Sequence, residues 1–136
     1  MIGKNNPFNI RNNRKNKWLG QIGSRKGFCQ FSSLDYGVRA ACIILANYRK
    51  FGISTIFDII KRWAPPSEND CIGYIRYIHL KTGIYSFSPL ESEDQYVRVL
   101  VAMSEMEGNP VSPDVIFHLI NQFNIKFFNV YEEEND

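Results

Sequence analysis

The segment Arg62-Trp63-Ala64-Pro65-Pro66-Ser67-Glu68-Asn69-Asp70 is the part of this chain best set up for acid–base chemistry. It places a lone glutamate beside an indole, two prolines and a polar cluster, where one helical pattern ends and another begins. Neither proline has an N–H to donate, and each biases its predecessor away from the α region, so the first helix must stop here. Ser67 followed three residues later by Asp70 has the spacing of an N-cap, which predicts that a helix restarts from about Glu68. A carboxylate on so rigid a junction, with Trp63 able to desolvate it or stack on a sugar, meets the needs of a general acid. The alternative role for Glu68 is to complement the helix dipole from the first turn. The elbow taken alone allows either.

The elements that must position this carboxylate follow from periodicity. Up to about Ser33 the chain is rich in Asn and Gly with isolated aromatics, and no helical period holds. Short strands or a hairpin are expected between Trp18 and Phe31, where Gly20, Gly23 and Gly27 permit turns. From Asp35 onward, Val38, Ala41, Cys42, Leu45 and Tyr48 recur at helical spacing and stop before Gly52. Thr55 and Asp58 cap a second helix carrying Ile56, Ile59, Ile60 and Trp63. A third runs from about Glu68 to Lys81 with Ile72, Ile75 and Ile78 inward, closing at Gly83. Ser92 and Gln95 open a fourth with Tyr96, Val99, Leu100 and Met103, and Ser112-Pro113 opens a fifth with Val115, Ile116, Leu119, Ile120 and Phe123. Ile125 to Tyr131 reads as a strand or an extended packing arm. The expected fold is mainly α within the α+β class: one helical domain over 1–136 with a small irregular or β N-terminal lobe.

At 136 residues the chain is long enough for one real core and too short for two. No run of about 18 apolar residues exists, so no membrane-spanning helix is expected. Met1-Ile2-Gly3-Lys4-Asn5-Asn6 has no apolar stretch of the secretory kind. Cys29, Cys42 and Cys71 are irregularly spaced and read as buried free thiols, and His79 and His118 have no companion at ligand spacing, so neither metal nor cofactor is expected. Charge is asymmetric. Residues 1–31 carry Lys4, Arg11, Arg14, Lys15, Lys17, Arg25 and Lys26 and no acid, whereas the rest is net negative and ends in an acidic cluster. Interleaved with Phe8, Trp18, Phe28 and Phe31, the basic segment suits nucleic acid, an anionic wall polymer or plain solvent.

Trp18 lies in Lys17-Trp18-Leu19-Gly20-Gln21, where no periodicity asks for an indole. It is either an aromatic anchor for the loop or a ligand platform. Asn6 and Asn9, in Asn5-Asn6-Pro7-Phe8-Asn9-Ile10-Arg11, either brace the backbone as Asx-turns or hold a ligand's amide and hydroxyl groups.

These segments occur in a telling order. The Asn-Asn-Pro-Phe-Asn-Ile-Arg run is followed by Trp18-Leu19-Gly20-Gln21, Phe28-Cys29-Gln30-Phe31, Gly37-Val38-Arg39-Ala40 and the Trp-Ala-Pro-Pro-Ser-Glu-Asn elbow. In this the chain resembles the lytic structural-protein family of bacteriophages, which includes the muralytic enzyme of enveloped double-stranded RNA phages, over roughly residues 3–84. The resemblance implies a lysozyme-like fold related to lytic transglycosylases and an enzyme that cuts peptidoglycan, although relatives have been called endopeptidases as well. The chain departs from the family pattern at Phe8, where a glycine is common, at Asp35, where a glutamate is common, and at Cys71, where a threonine is common. The part beyond about Ser86 carries no resemblance and is expected to complete the core and one wall of the cleft.

On this basis Glu68 is the expected general acid at the bond between N-acetylmuramic acid and N-acetylglucosamine. Asp35, or Asp70 if it is not a cap, is the candidate second carboxylate. A separation of about 5–5.5 Å between carboxyls would suit a retaining nucleophile and a wider gap an inverting water. With neither in place, the muramic 6-hydroxyl attacks. Asn6, Asn9, Arg11, Trp18, Gln21, Trp63 and Asn69 are the expected substrate-binding residues, while Arg39 and Arg62 have simple structural roles open to them. The expected partner is the glycan strand of peptidoglycan, met by a monomer acting at the bacterial wall, not nucleic acid. Two rivals come from other classes: a non-catalytic wall-binding module on the same fold, and a nucleic-acid-binding protein using the basic first 31 residues.

Overall fold

The computed structural model describes residues 1–128; the acidic end and the last part of the Ile125–Tyr131 stretch lie outside the described residues. Strands β1 (Gln21–Arg25) and β2 (Phe28–Phe31) form an antiparallel hairpin. Its two-residue turn needs positive φ at both positions, which Lys26 (φ 51°) and Gly27 (φ 84°) supply. The N-terminal segment runs along the other edge of β2, where Cys29 N–H donates to Ile10 (2.9 Å) and Phe31 N–H to Lys4 (2.9 Å). Cys29 and Phe31 point into the core.

Five helices follow: α1 (Leu34–Lys50), α2 (Ile56–Trp63), α3 (Cys71–Thr82), α4 (Glu93–Met106) and α5 (Pro113–Gln122). The expected mainly helical α+β fold with a small N-terminal β lobe is the fold observed. The capping signals act as their spacing demands: Thr55 accepts from Asp58 N–H (3.0 Å), Ser92 from Gln95 N–H (3.1 Å) and Ser112 from Val115 N–H (3.3 Å). α1 packs against β2 and α5, α3 against α2 and α4, and α4 against α5, around one hydrophobic core.

The third helix differs from expectation. Glu68 and Asn69 N–H both turn back to the carbonyl of Pro65 (3.0 and 3.1 Å), so the chain after the prolines makes a turn instead of a helix. Asp70 is the N-cap, accepting from Gly73 N–H at 3.0 Å, and α3 starts three residues later than the Ser67 spacing implies. Packing against α2 and α4 makes Cys71, Tyr74, Ile75 and Ile78 the inward stripe, and Ile72, expected inward, is 63% exposed. Ile125 to Phe128 form a packing arm and no strand: the Phe127 ring stacks on Tyr96 at 4.4 Å and Phe128 lies under the Arg49 guanidinium.

All three cysteines are free and buried. Burial pushes the Cys42 thiol from 9.0 up to about 12, against a smaller opposing backbone hydrogen bond. The Tyr74 phenol is likewise raised, first by burial and then by the neighbouring Glu107 carboxylate. The folded chain therefore keeps protons that the unfolded chain releases as pH climbs past the ordinary values of 9.0 and 10.0. Their stabilisation is complete below those values and lost as pH rises through the folded ones. Urea midpoints are expected to hold between pH 7 and 8 and to drop by pH 10.5, with a shallower drop in Cys42→Ala and Tyr74→Phe. A flat profile to pH 10.5 would contradict this.

Candidate functional site

An open cleft of about 360 Å³ lies between the elbow, the N-terminal segment and the end of α4. Its size is within the range of about 300–1,000 Å³ usual for small-molecule sites. α1 gives Ile44 and Tyr48 to its floor, and the Tyr48 phenol is raised by burial against the opposing charge of Arg62 on the same cleft. α2 and the elbow supply Trp63, Ala64, Pro65, Glu68 and Asn69, and the N-terminal segment supplies Asn9 and Arg11. Glu107, the C-cap residue of α4, completes the lining. The part of the chain beyond Ser86 thus contributes both core and a wall of the cleft.

Glu68 stands on the turn fixed by the Pro65 carbonyl, its side chain 55% exposed and paired with the Arg11 guanidinium at 3.5 Å. Arg11 lies over the Phe28 ring, 5.1 Å from its centroid. The half-buried Trp63 indole meets the buried Phe8 ring edge-on, with centroids 6.4 Å apart. Phe8 thus backs the indole that closes α2. Asn9 takes a left-handed conformation (φ 52°), which an asparagine tolerates better than most residues. Its Nδ2 donates to Glu107 Oε1 at 2.9 Å, and its Oδ1 is buried without a donor among the described residues. Glu107 Oε2 accepts from the Tyr74 hydroxyl at 2.8 Å, so both carboxylate oxygens are held by neutral donors.

Of the nine residues expected as general acid, second carboxylate (Asp35) or substrate contacts, five meet in this cleft: Glu68, Asn9, Arg11, Trp63 and Asn69. Four do not. Asp35 is exposed in the first turn of α1, where its charge suits the helix dipole, and it does not line the cleft. Asn6 is fully buried and acts as a brace: Nδ2 donates to the Ile10 and Cys29 carbonyls (both 3.0 Å) and Oδ1 accepts from Ile10 N–H (2.9 Å). Gln21 similarly ties the start of the hairpin, accepting from Trp18 N–H at 3.1 Å and donating to Asn12 Oδ1 at 2.9 Å. Trp18 packs half-buried against the core edge, away from the cleft lining. Asp70 is spent on its cap, Arg39 lies over the Phe123 ring at 5.5 Å, and His79 Nδ1 bonds the Ile84 carbonyl at 2.7 Å.

Glu107 and Tyr74 are absent from the sequence-derived set. Tyr74 lies on the buried face of α3, outside the Ile72, Ile75 and Ile78 stripe expected from spacing. For Glu107 a signal exists: α4 has no basic residue in its last turn and closes on a carboxylate, at the end where the dipole disfavours negative charge. A charge placed against the dipole needs another reason to be there. Among the described residues, no group of three or more His, Cys, Asp or Glu side chains is placed to hold a metal ion, and no helix is long and apolar enough to cross a membrane.

Fold and site define a mainly helical α+β protein with a two-carboxylate cleft at the junction of its β lobe and helices. No family model matches the chain. It is 38% identical over 122 residues to Protein P5 of Pseudoalteromonas phage PM2, a match covering 85% of this chain and 76% of that protein. The chain belongs to the family of that phage protein.

Proposed function

We propose that the protein cleaves peptidoglycan at the bond between N-acetylmuramic acid and N-acetylglucosamine, on a lysozyme-like framework, with Glu68 giving its proton to the glycosidic oxygen. The observation that carries this reading is the meeting of Glu68 with Trp63, Asn69, Asn9 and Arg11 in one open cleft. The Glu68 carboxyl shares the cleft with an aromatic that can stack on a sugar face and with amide and guanidinium donors suited to acetamido and hydroxyl oxygens. Membership in a phage protein family supports it, because a bacterial virus has to pass its host's wall.

A second reading is favoured by the Arg11–Glu68 pair and the exposure of Glu68: a wall-binding module in which the carboxylate only accepts hydrogen bonds from sugar hydroxyls. Mass spectrometry of purified peptidoglycan treated with wild type and with Glu68→Gln separates the two. Under the enzyme reading, muropeptide release is expected to fall at least a hundredfold in the variant, about 2.7 kcal/mol of transition-state stabilisation. Anhydro ends would identify a transglycosylase and reducing ends a hydrolase, whereas freed stem-peptide amines would move the chemistry off the glycan. Equal release by both proteins would remove Glu68 from the acid role. Sedimentation of wild type with the wall and no product from either would leave the binding module.

A further inference from the structure

We infer that Glu107 is the catalytic partner of Glu68, the carboxylate that takes the proton from the attacking hydroxyl, and that Tyr74 and Asn9 are its positioning residues. The inference rests on the glycan-cleaving reading above and assigns the second half of that reaction.

The sequence offers Asp35 and Asp70 for this role, but Asp35 lies off the cleft and Asp70 is bound to Gly73 N–H. Glu107 is the other carboxylate that lines the same cleft as Glu68. It is held from both sides, by the Tyr74 hydroxyl at 2.8 Å and Asn9 Nδ2 at 2.9 Å, which fixes the carboxylate plane before any substrate arrives. Tyr74 is itself only 5% exposed, so this donor cannot swing away to solvent. A structural tether between α4 and the N-terminal segment does not require this charge. Asn109 already supplies one, its Nδ2 donating to the Pro7 and Glu107 carbonyls (both 3.2 Å). The charge also sits at the end of α4 where the dipole opposes it.

Asn9 adds a second observation. Its Oδ1 is buried with no donor among the described residues, directly beside Glu107. An amide whose acceptor is idle while its donor holds a carboxylate is matched to one protonation state. Turned over, the same amide accepts from a protonated Glu107. The reaction then balances. The O–H bond of the attacking water or muramic 6-hydroxyl breaks, its proton goes to Glu107 and its oxygen bonds to the anomeric carbon. The glycosidic C–O bond breaks and its oxygen leaves with the proton from Glu68. Both carboxyls return to their starting states by proton exchange with solvent.

The test compares wild type, Glu68→Gln, Glu107→Gln and Tyr74→Phe on purified peptidoglycan, with thermal unfolding of each and with sodium azide added to the Glu107→Gln reaction. Glutamine is isosteric with glutamate and can donate to the idle Asn9 oxygen, so Glu107→Gln is expected to unfold within a few degrees of wild type. Its muropeptide release is expected to fall about a hundredfold or more, the usual worth of a general base. Azide needs no base, and glycosyl azide products from Glu107→Gln alone are expected, a signature that loss of a tether would not give. Tyr74→Phe keeps the carboxylate and is expected to lower kcat several-fold with KM unchanged. If wild type is active and Glu107→Gln equals it, the inference is overturned and Glu68 keeps its role. If Glu107→Gln fails to fold, Tyr74→Phe decides: lower stability with unchanged kcat would mean a tether only. A wild type that releases nothing overturns the glycan-cleaving reading and this inference with it.

Discussion

Gly37→Ala is expected to destabilise the protein by about 3 kcal/mol and to lower its melting temperature by roughly 10 °C. A Cβ at this position would lie 2.0 Å from the Asn5 carbonyl oxygen and 3.3 Å from Pro7 Cδ. Two effects compete. Alanine improves the interior of α1 by about 1 kcal/mol over glycine. Against that, 2.0 Å is far inside van der Waals contact, and the neighbour is backbone that cannot rotate aside. Asn5 is itself pinned, in a left-handed conformation (φ 57°) with its Nδ2 donating to the Phe31 carbonyl at 3.0 Å. Making room means moving that loop, which costs the hydrogen bond and the packing around it, so the clash outweighs the propensity gain. The same loop continues into Asn9 and Arg11, and the variant is expected to weaken the proposed wall binding as well as stability. Circular dichroism melts of wild type and variant check the first effect and sedimentation with peptidoglycan the second. A neutral or stabilising alanine would mean that the N-terminal segment is not seated on α1.

Asn6→Ala is expected to cost about 3–5 kcal/mol, at least as much as any truncation in the hydrophobic core of similar size. The side chain is fully buried and makes three hydrogen bonds, to the Ile10 and Cys29 carbonyls and from Ile10 N–H. Alanine removes all three and leaves Ile10 N–H buried without a partner, and unmet desolvation of about 1–3 kcal/mol is the larger share of the cost. Asn6→Asp is expected to be no better: it restores the acceptor for Ile10 N–H but turns an anionic oxygen on two carbonyls. Asn9→Ala, only three residues on, is expected to cost less, about 1–2 kcal/mol for alanine at φ 52° and one lost hydrogen bond to Glu107, and to lose most of the proposed activity. Guanidinium denaturation alongside muropeptide release reads out both. Wild-type stability in Asn6→Ala would return that residue to the ligand-binding set.

The contrast between Asn6 and Asn9 shows where reading the chain as a line of residues stops. Both sit in the same Asn-rich run with the same turn chemistry, and composition cannot say which amide faces inward. The distinction comes from β2, whose Cys29 carbonyl lies over Asn6, and from α4, whose C-terminal carboxylate lies over Asn9. The elbow is a similar case at shorter range. The two prolines end α2 as expected, but the helix restart that the Ser67–Asp70 spacing predicts at Glu68 does not occur. The Pro65 carbonyl draws Glu68 and Asn69 into a turn first, so the cap is Asp70 and Ile72 faces outward. For Trp18 the sequence leaves anchor and platform open, because both are the same residue type in the same polar surroundings, and packing against the core makes it an anchor.

The sequence by itself determined four of the five helices, the caps at Thr55, Ser92 and Ser112, a hairpin between Trp18 and Phe31, and the end of α2 at the two prolines. All of these rest on interactions within about four residues, where side-chain type and spacing act directly on the backbone. Only the tertiary structure decided which polar residues share the cleft. Asn9 and Glu107 are 98 positions apart and Tyr74 and Glu107 33 apart, and no local periodicity records such a contact. The second carboxylate of the site is therefore set by how α4 packs on α3 and against the N-terminal segment, a consequence of burying one shared apolar core.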